Sequence, residues 1–169
     1  LRPELDLYLL TERGPELLAA RPDASGVGFD FPEEMLRRAR ERFASEARVE
    51  IRAHDLDDPL PADLTGFDVV VSSFAIHHLL PDRQRALYGE IRDRLVPGGR
   101  FVNVEHVASR TPALHEEFLC AIGKTLETDD PSNKLVAVPH HLEWLDDLGF
   151  RDAECVWKWR ELAIITGVA

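Results

Sequence analysis

The run Phe67–Ser73 (FDVVVSS) constrains the fold more than any other stretch of the chain. It is β-branched and almost continuously apolar, the pattern of a strand covered on both faces, as in a parallel sheet flanked by helices. A strand with one wet face would alternate instead. A helix pattern follows over Asp82–Leu95 and is stopped by Pro97-Gly98-Gly99, and a further strand is predicted over Arg100–Val104. Upstream, Ser25–Phe29 (SGVGF) is a short apolar run ending at Asp30. The next helix starts with Pro32 in its first turn and Glu33 and Glu34 at its positive end, while Met35, Leu36, Ala39 and Phe43 recur on one face. Val49–Ala53 (VEIRA) alternates as a strand and stops at His54-Asp55, after which Asp57, Asp58, Pro59 and Pro61 break the chain.

Strands alternating with helices predict an α/β fold with a doubly wound, mostly parallel sheet. Ala153–Trp159 and Leu162–Val168 are β-rich runs with a tight link, so an antiparallel pair is expected at the sheet edge. Leu142–Leu148 reads as a short helix stopped at Gly149, and Thr111–Lys134 as helix and loop. The stretch 107–140 is therefore read as a helical insertion over the sheet. Its Phe118, Leu119, Ile122 and Leu126 fall at helical spacing and suggest an apolar lid face. The 169 residues fit a single domain. Trp144, Trp157 and Trp159 are read as packing residues rather than a stacking platform for bases.

Charge narrows the function classes. A formal net charge of −11 argues against nucleic acid as the main partner, because phosphate binding needs a concentrated Lys/Arg surface. No apolar run reaches the ~20 residues needed to span a bilayer. The first residues carry charges at Arg2, Glu4 and Asp6 and lack a signal-peptide pattern, so the expected location is cytoplasmic. Cys120 and Cys155, far apart and without C-x-x-C spacing, are read as two buried, reduced thiols. His115, Glu116, His140 and His141 match no metal-ligand spacing, and no metal is expected.

In open α/β sheets ligands bind beyond the carboxyl ends of the strands. Chemistry is therefore sought at Asp30, Asp55, Ser72-Ser73 and Glu105-His106, each just past a predicted strand. That ordered set resembles the class I S-adenosylmethionine-dependent methyltransferases of the small-molecule type. Gly26–Ala39 (GVGFDFPEEMLRRA) is similar to the family's second-strand segment, His54-Asp55-Leu56 to the segment after strand three, Phe67–Leu79 to strand four and its loop, and Leu95–Val104 (LVPGGRFVNV) to the turn into strand five. The resemblance implies a Rossmann-like fold, S-adenosyl-L-methionine as cofactor, S-adenosyl-L-homocysteine as product and a small-molecule acceptor. It implies that Asp30 binds the ribose hydroxyls, since a carboxylate accepts two hydrogen bonds from a cis-diol. Phe31 and Met35 would pack on the adenine, Asp55 with Leu56 would meet its amino edge, and Ser72 would lie beside the cofactor.

The resemblance also requires a first strand and a G-x-G-x-G loop before a helix ending near Leu18-Ala19-Ala20. Leu9–Arg13 runs straight into Gly14–Leu18. A sheet without its middle strand would leave backbone groups unpaired, at a few kcal/mol each. The expectation is that the first strand and its loop are missing near residues 13–14, with Gly14 as the loop's last glycine.

Methyl transfer needs alignment first and a base only where the nucleophile holds a proton. Candidate bases are His77 and His78 after strand four and Glu105 with His106 after strand five, histidine having the pKa suited to neutral pH. A short-chain reductase would need Tyr-x-x-x-Lys, but four residues after Tyr88 stands Arg92. The competing reading is a methyltransferase-like subunit that has lost its cofactor and supports a partner. The sequence assigns no oligomeric state.

Overall fold

The computed structural model describes the backbone path of residues 5–10 and the whole of residues 24–169. Seven strands form one sheet in the order β3-β2-β1-β4-β5-β7-β6. They are β1 Leu5–Leu10, β2 Ala24–Asp30, β3 Val49–Ala53, β4 Phe67–Ser73, β5 Leu95–His106, β6 Arg151–Trp159 and β7 Leu162–Val168. The first five run parallel, and β7 pairs antiparallel with both β5 and β6. This is the doubly wound sheet with a C-terminal antiparallel pair that the sequence predicts.

The middle strand is not missing: Leu5–Leu10 (LDLYLL) occupies the slot between β2 and β4, with Leu7 in register with both Gly26 and Val69. Five apolar residues in six suffice for a strand hydrogen-bonded on both edges, so its neighbours' backbone groups are paired. The glycine loop expectation, Gly14 included, lies outside the described residues.

Four helices of the described chain, α1 Glu33–Arg42, α2 Pro81–Arg94, α3 Pro112–Ala121 and α4 Val138–Asp147, accompany the sheet, with a 3-10 turn at Ile76–His78. α1 follows the predicted dipole logic, with Glu33 and Glu34 in its first turn and Arg40 and Arg42 in its last, and it buries Leu36. The core is built where α2 and α4 meet the sheet: Leu87, Tyr88 and Ile91 from α2 and Leu145 from α4 join Val70, Phe101 and Ile165 in one buried cluster.

The helix expected to run to Leu95 ends at Arg94, and β5 begins at once. Pro97-Gly98-Gly99 lies inside this strand as an irregularity, with the β4–β5 register jumping between Phe67 and Val69. Glycine is required there: Gly98 has φ +87°, and a Cβ on Gly99 would lie 2.9 Å from the Val96 carbonyl oxygen. The expected lid face is also shorter than the spacing implied. α3 starts at the Thr111 cap, whose hydroxyl accepts from Leu114 N, and buries Phe118 and Leu119, but it ends at Ala121 and leaves Ile122 and Leu126 exposed. Cys120, expected to be buried, is exposed on this helix because Phe118 and Leu119 take the packed face, and Cys155 is only half-buried. Trp144 packs against Tyr88 and His141, whereas Trp157 and Trp159 on the edge strand are exposed.

Candidate active site

The chain leaves β1, builds β2 and β3 on one side, and returns to β4 on the other. The C-terminal ends of β1 and β4 thus flank the point where the winding reverses, which is where such sheets bind ligands. The predicted site residues divide between the two sides of that point.

On the β2–β3 side, Asp30 ends β2, and its Oδ1 accepts from Phe31 N at 2.9 Å. Phe31 is 60% exposed, a large apolar side chain with little covering it, and Met35 is half-buried one turn into α1. Asp30 is in register with Ala53, so Asp55 follows two residues beyond on the adjacent strand. Asp55 Oδ1 accepts from Asp57 N at 3.0 Å, an Asx turn that shapes the loop. Arg83 from α2 fixes this loop, donating to the Leu56 and Asp58 carbonyls at 2.7 Å each and pairing with Glu90. Ser72, at the end of β4, is fully buried with an unpartnered hydroxyl, and His54 Nε2 is likewise enclosed and unpartnered. An orphaned buried donor set, two carboxylates past neighbouring strands and an uncovered aromatic ring together fit a polar ligand with a ribose and a flat base.

On the β4–β5 side the residues are locked to each other. Glu105 is fully buried, and its carboxylate takes three donors: His77 Nδ1 at 2.5 Å, His106 N at 2.9 Å and Asn103 Nδ2 at 3.1 Å. Asn103 also reaches the Tyr88 hydroxyl at 3.0 Å, which in turn meets His141 Nδ1 at 2.8 Å. Burial pushes the Tyr88 hydroxyl far up, with the Glu105 charge adding to it, and burial pushes His141 down to about 4. A second buried carboxylate, Glu161, sits in the β6–β7 turn and bonds His106 Nε2 at 2.9 Å and His115 Nδ1 at 3.0 Å. Burial pushes Glu161 up, but Ser109, His106 and His115 outweigh this and hold its carboxyl below the usual range. His77 and His106 lie beside each other, ring centroids 5.6 Å apart.

His78 departs from the other three candidate bases. Its Nδ1 pairs with Ser132 Oγ at 2.9 Å, and with Lys134 N donating to the His77 carbonyl it ties the 131–134 segment to the 3-10 turn. Burial, and then His77 beside it, push His78 down.

Glu161, Arg83, Asn103 and the buried role of Tyr88 were not legible as site residues. Glu161 carries one faint signal, an acid held between two β-rich runs. Two open clefts lie elsewhere, one along α1 between Glu34 and Ala44 and one at the amino ends of β2, β3 and β4 between Ser25, Arg48 and Phe67, and neither touches His77 or His106. Among the described residues no cluster is arranged to hold a metal ion, and no helix is long and apolar enough to cross a membrane.

This geometry has known relatives. Residues 13–99, over half of the chain, match the family described as methyltransferase domain. The chain belongs to that methyltransferase family. A demethylmenaquinone methyltransferase from Clavibacter sepedonicus is 35% identical over 114 residues, covering 68% of this chain and 45% of the relative. The chain thus spans about half the length of the curated relatives it matches. Among solved structures, the YcgJ protein from Bacillus subtilis superposes with a TM-score of 0.73 at 20% identity, covering 99% of this chain and 92% of that one. Human N-acetylserotonin methyltransferase, in complex with SAM, superposes at 0.65 with 21% identity, covering 97% of this methyltransferase chain and 47% of its own. The fold is the Rossmann-like one of class I methyltransferases.

Proposed function

We propose that this chain transfers a methyl group from S-adenosyl-L-methionine to a small-molecule acceptor. The observation that carries the reading is the pair Asp30 and Asp55, past the adjacent strands β2 and β3 on one side of the winding reversal of a methyltransferase-family sheet. Asp30 is the acceptor for the ribose diol, Asp55 and Leu56 meet the adenine edge, Phe31 and Met35 cover its face, and the orphaned Ser72 hydroxyl gains a partner. The structural relative solved with SAM supports the cofactor. The net charge of −11 and the insertion over residues 107–140 support a small acceptor rather than nucleic acid.

The cofactor, when bound, supplies an activated methyl group on a good leaving group. The chain's part is to hold the acceptor in line and to take its proton. His77 is the base in this reading. A carboxylate offers only acceptor oxygens, so Glu105 fixes the hydrogen on His77 Nδ1 and leaves Nε2 with its lone pair. Calorimetric titration with S-adenosyl-L-homocysteine tests the reading. Micromolar binding that Asp30→Ala weakens at least tenfold is expected. A folded protein that gives no binding heat refutes it and favours the partner-subunit reading.

A further inference from the structure

The β4–β5 side holds two histidine–carboxylate pairs rather than one. Glu105 holds His77 through Nδ1, and Glu161 holds His106 through Nε2. Since each carboxylate can only accept, each fixes the hydrogen on the nitrogen it faces. The two rings are therefore set in opposite tautomers, and the lone pairs fall on His77 Nε2 and His106 Nδ1. Neither nitrogen has a hydrogen-bond partner among the described residues. The His77 side chain is 7% exposed and that of His106 12%. Two presented acceptors on rings 5.6 Å apart is an arrangement that neutral histidines reach only when something else orients them.

The rim adds an aromatic surface. Phe74 follows β4 directly, lies edge-on to His77 with centroids 6.4 Å apart, and is 46% exposed. Its φ of +52° is a backbone conformation that a bulky side chain adopts only when its surroundings impose it, and such residues gather at functional sites. On the far side, Phe118 of α3 backs the His106 ring at 5.1 Å. His115 of the same helix shares Glu161 with His106 and faces Asp129 with its other nitrogen at 3.3 Å. The carboxylate that orients His106 is thus also the anchor of the insertion helix.

We propose that Glu161 is a positioning residue that makes His106 a second hydrogen-bond acceptor beside His77, and that the methyl acceptor is a flat ring bearing two neighbouring hydroxyls. This rests on the methyltransferase reading of the same site. One hydroxyl donates to each lone pair, and the ring lies against Phe74. Hydroxyls on opposite sides of a ring diverge and cannot meet two imidazoles this close. In the transfer, the O–H proton of the hydroxyl at His77 moves to Nε2, an O–C bond forms to the methyl carbon, and the C–S bond breaks. The sulfonium takes that electron pair and becomes a neutral thioether, and the imidazole carries the positive charge. The hydroxyl at His106 keeps its proton and fixes the ring's orientation.

Two measurements test the proposal. Long-range nitrogen–proton NMR correlation reads each histidine's tautomer in the full chain without any acceptor. His77 is expected with hydrogen on Nδ1 and His106 with hydrogen on Nε2, the latter lost or mixed in Glu161→Gln while His77 is unchanged. The same tautomer on both rings, or an unchanged His106 in Glu161→Gln, overturns it. Catechol, 1,4-dihydroxybenzene and phenol are then titrated by chemical-shift change, with and without saturating S-adenosyl-L-homocysteine. Catechol is expected to bind at least tenfold tighter than the other two, and His106→Ala to reduce it to the level of phenol. Equal binding of the three, no binding of any, or a catechol preference that survives His106→Ala overturns it. Loss of S-adenosyl-L-homocysteine binding alone refutes the methyltransferase reading and leaves the tautomer result to judge the paired acceptors.

Discussion

The two sides of the winding reversal are built on different principles. On the β2–β3 side the two carboxylates are half-buried and each accepts from the backbone of its own loop: Asp30 from Phe31 N, Asp55 from Asp57 N. On the β4–β5 side Glu105, Asn103, Tyr88 and His141 are buried and bonded to one another from β5 through α2 to α4. In the proposed reading the first side gains a ligand, and removal of one of its groups is expected to act on affinity more than on stability. The second is part of the core, where an unpaired donor costs its full desolvation. In the proposed reading, recognition and proton handling are therefore expected to be separable by mutation.

The largest expected effect is on the buried side. Glu105→Ala strands the His77 and Asn103 donors and should lower the unfolding free energy by about 3–5 kcal/mol in urea denaturation. A loss under about 1 kcal/mol would erase the contrast between the two sides. The next is a pH effect from His141, which burial depresses from 6.5 to about 4. The unfolded chain binds more protons than the folded one between these values. Stability is thus full above pH 6.5 and falls by about 3 kcal/mol as pH drops to 4. His141→Gln should flatten that slope, with urea midpoints across the window as the readout.

The exposed side should respond in affinity and hardly in stability. Asp30→Ala is expected to weaken S-adenosyl-L-homocysteine at least tenfold, about 1.4 kcal/mol, while changing unfolding free energy by less than about 1 kcal/mol. The smallest effect belongs to Arg83, which links the sides by clamping the loop of Asp55 to α2. Arg83→Gln should cost about 1 kcal/mol of stability and about two- to threefold in cofactor affinity, by the loss of two loop carbonyl partners. Equal sensitivity of binding to Arg83→Gln and Asp30→Ala would mean that loop order, not the Asp30 carboxylate, governs recognition.

The same contrast explains what the sequence could convey. Asp30, Asp55 and Glu105-His106 were legible because strand ends are visible in periodicity and the sheet's winding assigns them to one edge. The Leu5–Leu10 strand is hard to read in the sequence because LDLYLL is short and no G-x-G-x-G loop follows it as a marker. Glu161 and Asn103 were invisible for another reason. Asn103 points inward from a strand with no polar neighbour in sequence, and Glu161 meets His106 and His115 across gaps of 55 and 46 residues. Such partners are set by strand register, which hydrophobic pattern does not specify at the level of single contacts.

The most direct test of the account is amide chemical-shift mapping on addition of S-adenosyl-L-homocysteine. Binding across the winding reversal predicts the largest shifts at Asp30–Met35, Asp55-Leu56 and Ser72, with the β6–β7 pair unmoved. Saturable shifts confined to β6–β7 or to the outer face of α1, or none at millimolar ligand, would contradict it.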